Sequence, residues 1–224
     1  RMRLAALGLA LAVLAGAIIG KPFELAITKQ YSEVGDMKPI YVAWTPTARL
    51  AVFRNISWAP DQGFGWGMGS KVGSMPAPRQ LWLEQDGSAG TPITRFDGSL
   101  APLGYLLFDV TSIGYQVRQP RRVAVVGAGG GRDILAAMLV GARDIDAIEL
   151  NAGIVAAMRG PFGALSGRVY DLPGVHAIVG EGRSVLTRSA GNYDLIQISM
   201  IDSWAATAAG AYALSENNLY TVEA

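Results

Sequence analysis

From Leu4 to Gly20 the chain carries no polar side chain, and basic residues bracket the run at Arg1, Arg3 and Lys21. As a helix this stretch would span roughly 25 Å, the lower limit for crossing a bilayer. The pattern predicts a transmembrane helix over 1–22, against two alternatives: a signal peptide with Ala15-Gly16-Ala17 as its small-residue cleavage site, and a helix buried in a core. Lys21, Lys29 and Lys38 balance Arg1 and Arg3, so basic residues set no orientation. The periodicity then changes. Tyr41, Val42 and Trp44, followed by Leu50, Val52, Phe53 and Ile56 and broken by Pro46, predict a pair of strands within 40–58. Between Pro60 and Pro78, Gly63, Gly65, Gly67, Gly69 and Gly73 lie among Phe64, Trp66 and Met68. That segment is too long for a plain connector and reads as a mobile insertion, or as a lid or membrane-surface loop. Leu81-Trp82-Leu83 and Ile93-Thr94-Arg95-Phe96 flank an Asp86-Gly87 turn, which predicts a hairpin. Leu103, Leu106, Leu107, Val110 and Ile113 recur at helical spacing behind Pro102, which predicts a helix.

From Arg122 onward short strands alternate with helices, the signature of an α/β sheet. Val123-Ala124-Val125-Val126 is the continuous apolar run that a buried parallel strand needs. Further strands are predicted over 145–150, 175–179 and 194–199, with helices beginning near Asp133, Ala152 and Arg183. The expected organisation is a transmembrane helix at 1–22, a small β-rich region at 23–100 that holds the glycine-rich loop 60–79, and an α/β domain at 101–224.

Composition narrows the chemistry. Half of the 224 residues are apolar and 17 % are charged, against about 25 % charged in an average soluble protein, which excludes disorder and points to deep burial or membrane contact. The 19 basic and 18 acidic residues are interspersed, so nucleic acid is not an expected partner. With no cysteine and one histidine, the chain has neither a thiolate nucleophile nor a metal site built from cysteine or histidine.

The candidate chemistry lies after the first α/β strand. Gly127-Ala128-Gly129-Gly130-Gly131-Arg132-Asp133 precedes an apolar helix, where glycines let the backbone turn sharply and the helix amino terminus offers free N–H groups. The dinucleotide fingerprint would need glycine where Arg132 stands, so the spacing favours a nucleotide without a pyrophosphate at the turn. Glu149 follows Gly127 by 22 positions, where an acid can accept hydrogen bonds from both ribose hydroxyls. Gly180-Glu181-Gly182 places a second acid at the end of the third strand, within reach of an adenine amino group. Together these predict an adenosyl pocket built by Gly127, Gly129, Gly131, Glu149 and Glu181; the alternative is a structural turn with two solvated acids.

On these residues the stretch from Leu81 to Ala224 resembles the spermidine synthase (polyamine aminopropyltransferase) group within the class I S-adenosylmethionine-dependent methyltransferase fold, and especially its membrane-fused members. Those members show a GxGGGRD loop, an acid with Asn after the second strand, and a tail like Leu214-Ser215-Glu216-Asn217-Asn218-Leu219-Tyr220-Thr221. The resemblance implies an α/β Rossmann-like methyltransferase sheet preceded by a small β-stranded part, with the last strands lying beyond Ala224. It implies S-adenosylmethionine or decarboxylated S-adenosylmethionine as donor; Asp202 is the catalytic candidate, the alternative being a loop aspartate that caps a helix, and Tyr105 is expected to line the acceptor pocket or to pack in the core.

The chain also departs from the family. The synthase loop carries aspartate where Gly130 stands, a Tyr-His-Glu where Tyr105-Leu106-Leu107 stands, and a glutamine where Gly90 stands. The Asp-x-x-Asp-Pro motif becomes Ser199-Met200-Ile201-Asp202-Ser203, which keeps one acid of two. A polyamine needs acids to offset its desolvation, so these losses weaken aminopropyl transfer. Arg132 is read either as favouring a donor that keeps its carboxylate, hence methyl transfer, or as a solvent-facing side chain. His176 is expected to be structural, and 205–210 is a small-residue run suited to a gate or a packed helix. Three functions are therefore expected in turn: an aminopropyltransferase-like enzyme acting on an amine, a methyltransferase, and a non-catalytic adenosyl-binding domain of a membrane protein. The expected partners are a small-molecule acceptor, the membrane and a second copy of the chain as a homodimer. The expected location is the inner or plasma membrane, with the catalytic domain in the cytoplasm.

Overall fold

The computed structural model describes residues 2–19, 27–28, 31–32, 38–54, 63–72, 75, 77–87, 89–189 and 191–201. It divides into two compact units, Arg1–Lys38 and Pro39–Ala224. In the first unit, helix α1 (Met2–Ile19) is followed by an antiparallel pair, β1 (Ile27–Thr28) and β2 (Tyr31–Ser32). Leu7, Leu9, Leu11, Val13 and Leu14 of α1 are all exposed. The transmembrane helix expected at 1–22 is corrected here: among the described residues no helix is long and apolar enough to cross a membrane. The 18 residues of α1 rise about 27 Å, short of a hydrocarbon core of about 30 Å.

The second unit opens with an antiparallel sheet in the order β3 (Tyr41–Trp44), β4 (Arg49–Phe53), β5 (Gln80–Gln85) and β6 (Ala89–Thr94). The expected strand pair is β3 and β4, and the expected hairpin is β5 and β6. Asp86 and Gly87 both take positive φ at its turn, the conformation that an Asp-Gly hairpin supplies at low cost. Asp86 also ties the turn to β4, since its Oδ1 accepts from the Arg49 N–H at 2.9 Å.

A parallel sheet follows, built from β7 (Arg122–Val126), β8 (Asp144–Glu149), β9 (Val175–Val179) and β10 (Leu195–Ile198). Helices α3 (Arg132–Leu139), α4 (Ala152–Arg159) and α5 (Gly182–Arg188) connect these strands. The spatial order is β10-β7-β8-β9. Successive residues of β7 serve opposite faces, as a pleated strand requires. Val123 and Val125 pack into a core shared with α3, α4 and β4–β6, while Ala124 and Val126 pack with Val185 and Leu186 of α5. Both sheets of the second unit therefore enclose one main core, and the parallel sheet is covered on both faces.

The helix expected across Leu103–Ile113 is broken. A 3-10 helix runs Ala101–Phe108, a second 3-10 turn covers Val110–Ser112, and α2 spans Ile113–Val117. Asp109 separates the two 3-10 segments: its backbone is extended and its carboxylate accepts from the Thr111 N–H at 3.0 Å. The same carboxylate is buried against an arginine, so the break serves a tertiary contact rather than local propensity.

Residues 63–72 of the glycine-rich segment are laced down rather than free. The Gly69 N–H donates to the Phe108 carbonyl at 2.7 Å, the Val110 N–H to the Gly67 carbonyl at 3.0 Å, and the Trp66 N–H to Asp109 Oδ2 at 2.7 Å. A Cβ on Gly63 would overlap the Tyr105 ring, one on Gly65 would overlap Asp109 Oδ2, and one on Gly67 would meet Val110 at 2.9 Å. Glycine at 63, 65 and 67 thus leaves room for Tyr105, Asp109 and Val110 and lets this backbone approach 105–110 closely.

Candidate functional site

The four parallel strands run outward from β7, to β8 and β9 on one side and to β10 on the other. The order reverses between β7 and β10, and such a switch point opens a crevice at the carboxyl ends of the strands. Gly127–Gly131 leaves β7 at that point and Ser199–Ile201 leaves β10 beside it. Gly127, Gly129 and Gly131 all have positive φ, at 73°, 50° and 85°. Met200, also at positive φ, faces solvent at the same end of the sheet.

The loop is held from several sides. The Gly127 and Ala128 N–H groups both donate to the Ile148 carbonyl, at 2.9 and 3.0 Å. The Tyr170 hydroxyl, fully buried, donates to the Gly129 carbonyl at 2.8 Å, and burial pushes its phenol pKa well above the usual range. Tyr170 went unnoticed in the sequence, where a tyrosine before Asp171 gives no hint of a partner 41 residues earlier. Strand β6 crosses the loop closely: a Cβ on Gly130 would overlap the Pro92 carbonyl, and one on Gly129 would meet Thr91 at 3.0 Å. The aspartate that the spermidine synthase loop carries at this place therefore has no room here. Gly90 is similarly determined, because the Trp82 ring occupies the space a side chain would need.

Glu149 and Glu181 sit at the carboxyl ends of β8 and β9, two strands of one sheet, as the sequence predicts. Glu149 is buried and its two oxygens accept from the Gly129 N–H at 2.9 Å and the Asn151 N–H at 2.8 Å. Burial pushes its carboxyl above the ordinary glutamate value, against the opposing pull of the Asn151, Gly129 and Leu150 N–H groups. A carboxylate has about four acceptor directions, so the N–H groups that fix Glu149 leave it capacity for a ligand hydroxyl. Glu181 is exposed and caps α5, accepting from the Arg183 and Ser184 N–H groups at 2.8 Å each. Its partial burial is outweighed by the Ser184 and Arg183 hydrogen bonds, which hold the carboxyl below its usual value. Leu150 and Val179 are exposed at the same carboxyl ends of β8 and β9.

Arg132 falls on neither of its two sequence readings. Its side chain is only 4 % exposed and forms ion pairs with Asp109 and, at 2.8 Å, with Asp133; Nη1 also donates to Thr111 Oγ1 at 3.0 Å. It is not solvent-facing, and its charge is already spent on carboxylates of this chain, so it lends no support to a donor that keeps its own carboxylate. Tyr105 is 0 % exposed. Its hydroxyl accepts from Gln80 Nε2 at 2.9 Å, and burial pushes its pKa up; the structure places it inside the core rather than on the crevice wall. Ser199 Oγ is hydrogen-bonded to Gln197 Nε2, which also donates to the Thr111 carbonyl at 2.7 Å. Asp202, the Ala205–Gly210 run and the 214–221 tail lie outside the described residues.

One cluster of potential metal ligands occurs among the described residues: Asp144, Asp146 and His176 bring ligand atoms within 4.8 Å of one another. Arg122 lies 3.5 Å from Asp144 and 3.4 Å from Asp146, and the Tyr193 hydroxyl donates to Asp146 at 2.6 Å. The guanidinium supplies there the positive charge a cation would bring. His176, 3.1 Å from Asp144, belongs to this group at the amino-terminal end of the sheet, away from the glycine loop.

Fold and site define an α/β domain with a parallel, doubly covered sheet of Rossmann-like order and a glycine loop at its switch point. Solved structures similar to the chain include a spermidine synthase in complex with the transition state analogue AdoDATO, at 15 % identity and a TM-score of 0.48, over 81 % of this chain and 59 % of that one. The spermidine synthase from Thermotoga maritima is similar at 14 % identity and a TM-score of 0.44, over 79 % of this chain and 57 % of that one. The chain thus spans less than two thirds of the length of these structures. No family model matches the chain, and no curated protein matches it.

Proposed function

We propose that the chain binds an S-adenosyl donor in the switch-point crevice and transfers an aminopropyl or related group to an amine, as a spermidine synthase-like transferase. The observation that carries this reading is the convergence of the Gly127–Gly131 loop, Glu149 and Glu181 at the carboxyl ends of three adjacent parallel strands. In it, Glu149 accepts a ribose hydroxyl while Gly129 and Asn151 hold its carboxylate in place. The exposed apolar side chains of Leu150 and Val179 border the adenine and Glu181 takes its amino group. Transfer joins the acceptor nitrogen to the carbon next to the donor's positively charged sulfur while that carbon–sulfur bond breaks and a neutral adenosyl thioether leaves, so the catalytic gain comes from alignment and from a group that takes the amine proton. Asp202 is assigned that proton.

Methyl transfer in the same pocket is the second reading. The neutral Ser199–Gln197 pair favours it, because it stands where an acid would help to compensate a polyamine. Calorimetric titration of the purified chain with S-adenosylmethionine and with its decarboxylated form separates the two. Tighter binding of the decarboxylated donor is the expected result; preference for the intact donor moves the assignment to methyl transfer, and no binding of either overturns the adenosyl reading. The raised Glu149 pKa adds a sign. Ribose binding uses the carboxylate, so affinity should fall on acidification at a pH above the ordinary glutamate range, and Glu149→Gln should flatten that dependence while weakening binding throughout.

A further inference from the structure

Arg132 is the first residue of α3 and follows directly on Gly131. Three acceptors hold its guanidinium: Asp109, Asp133 and Thr111. Two of them lead elsewhere. Asp109, completely buried, also accepts the Trp66 N–H and so anchors the 63–69 segment. Thr111 accepts Gln197 Nε2 at its carbonyl, and Gln197 in turn holds Ser199 at the end of β10. One connected set of polar contacts therefore joins the glycine loop, the 63–69 segment and the β10 side of the crevice. A guanidinium presents a rigid fork of donors, so a shift of the α3 amino terminus is felt at Asp109 and Thr111 together.

We propose that Arg132 and Asp109 are positioning residues of the nucleotide site, through which residues 63–69 form a wall of the crevice that tightens when the glycine loop is occupied. The inference rests on the adenosyl reading and goes beyond it, since none of these side chains needs to touch the donor. Gly65, where any Cβ would overlap Asp109, and the Trp66 amide are the points at which the wall would register occupancy.

The test combines calorimetry with hydrogen exchange, using S-adenosylmethionine and its decarboxylated form on the whole chain. In the wild type, the donor should slow amide exchange at Trp66 and Gly69. The paired variant Asp109→Leu/Arg132→Met removes the buried ion pair together, at some cost in stability because the Trp66 and Thr111 N–H groups and Asp133 lose partners; where it folds it should bind the donor about tenfold more weakly, a usual size for a coupling between sites, and lose the ligand-dependent protection. Should that pair not fold, Arg132→Lys serves in its place, because it keeps the charge and loses the fork; the same loss is expected. Wild-type affinity in the folded variant, or a wild-type donor complex with unchanged exchange at 63–69, would overturn the proposal and leave the adenosyl reading standing. Absence of donor binding by the wild type would overturn that reading first, and this proposal with it.

Discussion

Replacing Asp109 with alanine should lower the unfolding free energy by about 2–4 kcal/mol, because Arg132 Nη2 and buried backbone donors are left without an acceptor while Asp133 still balances the guanidinium charge. The Arg132 side chain has no route to water at 4 % exposure, and Asp133 already takes a separate nitrogen of its guanidinium. Two backbone donors, the N–H groups of Trp66 and Thr111, lose their acceptor in the same substitution. Urea denaturation monitored by far-ultraviolet circular dichroism measures the loss. A change below about 1 kcal/mol, the range of exposed pairs, would mean that water reaches Arg132.

Gly130→Ala should be the second costly change, at about 1–3 kcal/mol and toward the upper end for overpacking. Gly130 has no positive φ, so the penalty does not come from conformation. The added methyl would run into the Pro92 carbonyl of β6, with the Ile93 nitrogen 3.2 Å away. A side chain could rotate aside; a paired strand cannot without giving up its register with β5. The same substitution at Gly141, where nothing lies within 4 Å, separates the steric cost from a general effect of glycine replacement, although the positive φ there adds a strain of its own. Thermal and urea unfolding of both variants make the comparison, and equal stability of Gly130→Ala and wild type would show that β6 does not press on the loop.

The parallel sheet was legible because its signals are local. Val123–Val126, the glycines after it and the acid that ends the next strand occur in one continuous stretch, and the strand and helix starts read there fall within a few residues of β7–β10 and α3–α5. What escaped depends on distant partners. The break at Asp109 answers to Arg132, 23 positions later, and no periodicity in 101–113 announces it. A charged residue after a glycine loop ordinarily faces water, so the burial of Arg132 was hidden as well. The Gly63–Gly67 glycines are explained only by close approach to Tyr105, Asp109 and Val110, which the sequence does not show, and composition drew attention to mobility instead. Glu149 was legible as a strand-end acid, while its grip on the Gly129 amide was not, because that bond depends on how tightly the loop folds back over β8.

The most direct measurement is a crystal structure of the chain with 5′-methylthioadenosine, the adenosyl part common to both donors. A ribose hydroxyl should lie within hydrogen-bond distance of Glu149, with the adenine bordered by Leu150 and Val179 and its amino group toward Glu181. Adenosine seated anywhere else, for instance against Arg122 and Tyr193 at the opposite end of the sheet, would contradict the assignment of the crevice.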